Sequence, residues 1–175
     1  PAGYTVKGAI GTRYRALGGS AAFGTPTGNE RGGLINGGVL QGFSKNHTFY
    51  WTPSTGAWPV SFNGAIGRKF AATRWENGYG YPITREAGGL VDGGAYQVFR
   101  NGAATYKILW SPSTGAHAVK ETGAIGREWR ATGSERGYGY PTTGEYRYGT
   151  EVRQKFSKNF TVHYSTTTKR TWATR

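Results

Sequence analysis

The chain contains no cysteine. Disulfides, thiolate metal sites and cysteine nucleophiles are thereby excluded. Aspartate is almost missing as well: Asp92 is the only one, so a Ser-His-Asp triad would have to use it. No apolar run approaches the ~20 residues that span a bilayer as a helix. Nor is there a run of Lys or Arg longer than two, a His-Glu-x-x-His spacing or a Gly-x-Ser-x-Gly elbow. The paired glycines Gly88-Gly89 and Gly93-Gly94 lead into a strand pattern rather than a helix, which argues against a phosphate cradle. The sequence opens at Pro1 with no signal peptide and reads as a mature or excised product.

Glycine and aromatic rings are abundant instead. The 175 residues include 30 Gly, 12 Tyr, 8 Phe and 6 Trp. Many tight turns, with large side chains supplying the burial that glycine cannot, describe a turn-rich fold that leans towards β structure. The formal net charge of +13 favours anionic partners such as acidic polysaccharide, wall polymers or nucleic acid. The basic positions are scattered, however, which also fits a plain solvated surface.

Internal repeats organise the chain. Gly-Ala-Ile-Gly occurs at residues 8–11, 64–67 and 123–126. Pro26, Pro82 and Pro141 keep the same offsets, as do Glu30, Glu86 and Glu145. Phe43, Phe99 and Phe156 correspond, and Trp51 and Trp110 match Tyr164. Pro-Ser-Thr-Gly-Ala at 53–57 and 112–116 degenerates to Thr-Thr-Thr-Lys-Arg at 166–170. The repeats run over about 8–63, 64–122 and 123–175 within one repeat domain, 1–175. Residues 1–7 form a leader that resembles the end of a preceding repeat.

Each repeat opens with a short helix, because Ile10 and Tyr14, Ile66 and Phe70, and Ile125 and Trp129 lie four apart on one face. Strand patterns follow at 39–43, 95–100 and 151–156, then turns, then second strands at 49–51, 106–110 and 161–164. One helix and one hairpin cannot bury a face alone. The expected fold is therefore mainly β with short helices (α+β), three helix-plus-hairpin repeats sharing a core. A pseudo-threefold, propeller-like or trefoil-like arrangement is preferred to a stack.

These blocks carry a family resemblance. Phe/Tyr-Gly-x-Pro-x-x-x-Glu recurs, with Gly-Ala-Ile before it and Trp-x-Pro-Ser-Thr-Gly-Ala after it. In that order they resemble the LGFP repeat family from residue 8 to about 172. The namesake Leu-Gly-Phe-Pro stands here as Phe-Gly-Thr-Pro at 23–26 and Tyr-Gly-Tyr-Pro at 79–82 and 138–141. The resemblance implies an extracellular or cell-wall-associated module. Such a module would hold a covalently linked catalytic domain on wall polysaccharide such as arabinogalactan or peptidoglycan.

Sugar binding needs flat aromatic faces and a few fixed polar groups. Tyr79, Tyr81, Tyr138 and Tyr140 sit beside glycines in the Pro-containing turns, where outward-facing rings are common. Trp75, in the polar stretch Arg74-Trp-Glu-Asn77, is a further exposed candidate, whereas core packing suits Trp51, Trp58, Trp110 and Trp172. Glu30, Glu86 and Glu145 suit carboxylates that accept turn N–H groups or contact sugar hydroxyls. Asp92 and His117, which replaces Trp58 of the first copy, complete the candidate ligand contacts. The sequence predicts no catalytic residues, no metal site and no cofactor.

The leading expectation is thus a non-catalytic wall-polysaccharide-binding module. A small muramidase-like hydrolase is the alternative and would need a unique pair of carboxylates outside the repeat pattern, such as Glu76, Glu128, Glu135 or Glu151. Nucleic acid is the least favoured partner.

Overall fold

A computed structural model describes residues 3–175; Pro1 and Ala2 of the leader lie outside the described residues. The chain divides into two compact units, Pro1–Glu86 and Ala87–Arg175. The first holds α1 (Gly8–Ala16), α2 (Gly19–Phe23), β1 (Arg31–Leu34), β2 (Gly38–Phe43), β3 (His47–Thr52), β4 (Gly56–Ser61), α3 (Ala65–Ala72) and β5 (Tyr81–Pro82). The second holds β6 (Ala95–Asn101), β7 (Ala104–Ser111), β8 (Gly115–Lys120), α4 (Ala124–Ala131), β9 (Tyr146–Tyr148), β10 (Glu151–Phe156), β11 (Phe160–Ser165) and β12 (Thr171–Thr174). The strands form three four-stranded antiparallel sheets, and helices are few and short, so the fold is mainly β.

The expected hairpins are present as β2–β3, β6–β7 and β10–β11. Each is flanked by a further strand beyond the second turn, β4, β8 or β12. The first and third sheets also gain an edge strand, β1 or β9. Those additions were hidden in the sequence. Pro59 lies within β4, and β1 is the glycine-rich Arg-Gly-Gly-Leu, two compositions that speak against strands.

Within the first unit the first sheet is covered on both faces. Phe49 packs with Ile10, Phe23 and Phe43 on one side. Its neighbour Tyr50 packs edge-on against Phe70 and Tyr81 on the other. In the second unit α4 lies between two sheets: Trp129 joins Leu109 and Val119 of one to Phe156 and Val162 of the other. A helix of one repeat thereby closes the core of the repeat before it.

The Gly-Ala-Ile-Gly block has a steric cause. A Cβ at Gly67 would collide with the Ser61 carbonyl, and one at Gly126 with the Lys120 carbonyl. Only glycine lets the helix lie this close to the end of the preceding strand. The ring at the next turn of the helix then pins the Pro-containing loop: Tyr14 Oη donates to Gly24 O at 2.7 Å, and Trp129 Nε1 to Gly139 O at 2.9 Å.

A buried glutamine joins the pieces of the first and third repeats. Gln41 Nε2 donates to Thr5 O and Gly28 O at 3.0 and 2.9 Å. Gln154 Nε2 donates to Ala118 O and Thr143 O at 2.8 and 2.9 Å. Each ties the strand or leader before its repeat to the loop after the proline. Gln97 occupies the same place, two residues before the strand-end Phe, and all three are wholly buried.

Candidate functional site

The tyrosine turns are more internal than the sequence suggests. Tyr81 and Tyr140 are only 2% and 3% exposed. Tyr81 Oη donates to Ile35 O at 2.5 Å, and Tyr140 Oη donates to Val91 O. Burial, with Glu76 adding to it, pushes the Tyr81 phenol up to about 12. Desolvation likewise raises Tyr140. The expectation that these two rings face outward therefore fails, because each plugs a slot opposite Gly38 or Gly94, where a Cβ would meet the phenol.

Tyr138 is half-buried against Phe156 and Phe160, and its hydroxyl donates to Glu128 Oε2 at 2.6 Å. Desolvation and that bond raise its pKa. Tyr79 is also half-buried. Trp75 is exposed, as expected, at 49%, and is held outward by a left-handed backbone, φ 52°.

Asp92 and His117 turn out to be turn-formers. Asp92 has φ 59° at the tip of a tight turn, where Asn36 and Gly149 of the other repeats are also left-handed. His117 Nε2 lies 3.0 Å from Thr114 O, matching the 3.0 Å bond from Trp58 Nε1 to Thr55 O. Trp172 departs from the expected core role: it is 38% exposed and stacks on His163.

The recurring glutamates behave differently from the expected turn braces. Neither Glu30 nor Glu145 accepts a backbone N–H among the described residues. They line clefts instead. In the third repeat a cleft of about 750 Å³ is walled by Gly123, Ala124, Ile125, Glu145, Val152 and Tyr164. In the first repeat a pocket of about 250 Å³ is walled by Gly8, Ala9, Ile10, Glu30, Val39 and Trp51. These are the same six repeat positions. One site therefore occurs twice, built from the start of a helix, a carboxylate from the post-proline loop, and a valine and an aromatic from the hairpin.

An adjoining depression of about 500 Å³ shares Lys7, Glu30 and Val39 and widens the first-repeat pocket. The third-repeat cleft is more basic, with Lys120, Arg127 and Lys169 around Glu128 and Glu145. Glu145 is exposed as a residue, yet the cleft walls desolvate its carboxyl and raise its pKa against the pull of Lys120. Burial also raises Glu86, the copy in the second repeat, against the pull of His47.

Such a site combines an apolar wall, one ring and a carboxyl group. Sequence reading aligned Glu30 with Glu145 and Trp51 with Tyr164. It did not bring them together, because 21 or 19 residues separate each pair. The matching Val39 and Val152 were the missing signal, since they join the hairpin face to the glutamate.

The four carboxylates weighed for a hydrolase, Glu76, Glu128, Glu135 and Glu151, are each placed differently. Glu76 is buried beside Tyr50 and Tyr81 and raises both phenols. Glu128 holds Tyr138. Glu135 Oε1 is buried. Glu151 holds Arg153 and His163.

No curated protein matches the chain. A family model does: the LGFP repeat matches residues 23–78 and again 80–137, so each match opens at a Pro-containing turn and ends just beyond the next repeat's helix. The family is a repeat module, not a known catalytic one, and its repeats often occur in cell-wall-associated proteins. Two tandem matches over well more than half the sequence place the chain in the LGFP repeat family.

Proposed function

We propose that the protein is a non-catalytic module that binds wall polysaccharide in its recurring clefts and so anchors an attached chain at the envelope, outside the cell. The observation that carries this reading is the recurrence of one six-residue cleft in the first and third repeats. A catalytic centre works once per molecule and needs carboxylates in contrasting surroundings. A polymer with a repeating unit is better met by repeated, individually weak sites. Trp75, the exposed ring of the Pro-turn region, is an additional glycan contact in this reading.

The test is co-sedimentation of the purified protein with wall polysaccharide, arabinogalactan–peptidoglycan included. The Glu145→Ala/Tyr164→Ala protein should leave the pellet while keeping its thermal midpoint within a few degrees. Undiminished retention of that variant would remove the clefts from the account.

A second reading arises from the same cleft. Glu145, with its raised pKa, shares the third-repeat cleft with Glu128, and glycosidases work with a pair of carboxyl groups. Clearing of cell-wall suspensions, abolished by Glu145→Gln, would establish a hydrolase instead. Against it stands the first-repeat pocket, where Glu30 is the only carboxylate in the wall.

A further inference from the structure

The three sheets share a register that lines up three residues across each. In the first sheet they are Leu40, Tyr50 and Trp58. In the second they are Tyr96, Leu109 and His117. In the third they are Arg153, His163 and Trp172. In the first two the central residue is buried beneath the next repeat: Tyr50 under Phe70 and Tyr81, Leu109 in one cluster with Trp129 and Tyr140. Gly38 or Gly94 leaves the slot that the incoming tyrosine fills.

In the third sheet that glycine position is Glu151, five residues before the strand-end Phe156, as Gly38 is before Phe43 and Gly94 before Phe99. Three positions have changed together. Glycine has become Glu151, Leu or Tyr has become Arg153, and the buried Tyr or Leu has become His163. A glutamate in the slot, beside a charged row, does not accept another tyrosine turn.

The replacements form an ordered surface. Glu151 Oε1 accepts from Arg153 Nε and from His163 Nδ1, each at 2.8 Å. An ionised carboxylate can only accept, so Nδ1 carries the histidine proton. Hydrogen bonds from His163 and then Arg153 hold the Glu151 carboxyl below its ordinary range. His163 Nε2 meets Thr174 Oγ1 at 2.8 Å. The Arg153 guanidinium lies 3.6 Å over the Tyr148 ring, and Trp172 stacks parallel to His163 with centroids 5.0 Å apart.

Tyr148 is 60% exposed, the most open of the large apolar side chains. Beside it opens a depression of about 510 Å³ whose wall includes Thr143, Tyr148, Arg153, Lys155, Thr161 and Thr174. Arg153 and Lys155 stand against the single carboxylate of this face, Glu151, so the net charge there is positive. Threonine hydroxyls and ring faces supply the rest.

We infer that this outer face of the third sheet is a ligand site separate from the recurring clefts, and that it takes a glycosyl unit bearing a carboxylate or a phosphate. Arginine and lysine meet the acid group, the threonines meet hydroxyls, and Tyr146 and Tyr148 bound the ring. Single-stranded nucleic acid asks for a basic groove tracking several phosphates and for a row of open stacking rings. Two cations beside one depression fit a single acidic sugar better.

The test titrates the intact protein with four probes: trigalacturonate, poly(glycerol phosphate), a neutral dextran oligomer and oligothymidylate. At least one of the first two should bind about tenfold or more tightly than dextran. The acid probe that binds identifies the source of the charge. Lys155→Gln and Tyr148→Ala alter exposed side chains. Each should weaken that probe about tenfold without moving the thermal midpoint.

Binding of neither acid probe, equal binding of dextran, tightest binding of oligothymidylate, or unchanged affinity in both variants overturns the inference. The cleft variant Glu145→Ala/Tyr164→Ala should bind the acid probe like the parent. Loss of binding in that variant would assign the anion to the cleft, overturning this site while leaving the cleft reading intact.

Discussion

At the scale of single residues, position within a repeat decides role more firmly than residue type. Tyr81 and Tyr148 are both tyrosines beside glycine-rich turns, yet one is a sealed plug and the other the most exposed ring. Glu145 shows what the cleft does to a side chain. Its carboxyl is desolvated, so the folded state holds the proton more firmly than the unfolded chain does. By linkage, the wild type is favoured below the unfolded-state pKa and loses that advantage as pH rises through the raised folded value. Glu145→Gln carries no such charge. Measured by urea unfolding at a series of pH values from about 3 to 7, the variant should gain stability relative to the parent as pH rises across the carboxylate range. A difference that is flat with pH would mean the cleft does not desolvate this group.

At the scale of elements, the helix start is the most constrained feature. Gly126 lies so close to the Lys120 carbonyl that any Cβ must push α4 off the end of β8. Because α4 closes the core between two sheets through Trp129, that shift is felt on both sides. Gly126→Ala should cost about 1–3 kcal/mol, the usual range for forced overpacking, despite alanine's better helix propensity. Chemical denaturation measures it, and a neutral or stabilising outcome would show that the helix has room.

This element was legible in the sequence, since Ile125 and Trp129 at four-residue spacing announced both the helix and its buried face. The hairpins were legible from their alternation, and β10 falls on the expected residues 151–156. The flanking strands were not. Their partners lie across turns, and Pro59 or paired glycines mask the pattern. The site was legible only in pieces. Glu30 and Glu145 stood out by recurrence, but a cleft is formed by tertiary contact between a loop, a helix start and a hairpin. No local spacing records that. The buried glutamines were hidden for a related reason: Gln41, Gln97 and Gln154 recur in register, but only the folded chain shows them buried, with the Gln41 and Gln154 amides bonded to backbone.

At the scale of the whole molecule, repetition is what separates an anchor from an enzyme. In the proposed reading the two related clefts, one in each compact unit, meet one long polymer at two points. The second contact is then intramolecular, and avidity exceeds single-site affinity by about 10²–10⁴ when the geometry permits both. Disabling one cleft should therefore hurt polymer binding far more than oligosaccharide binding. Glu30→Ala/Trp51→Ala and Glu145→Ala/Tyr164→Ala should each lower apparent affinity for wall polymer at least about tenfold. With a short oligosaccharide that fills one cleft, either variant should lose no more than about twofold, because the remaining site still binds and only the number of sites has halved. Side-by-side titration of both ligands with both variants decides the matter. Equal losses on polymer and oligomer would mean the clefts act singly, and anchoring by repetition would have to be given up. A steep fall in polymer affinity with added salt would show that the +13 charge, not the clefts, holds the wall.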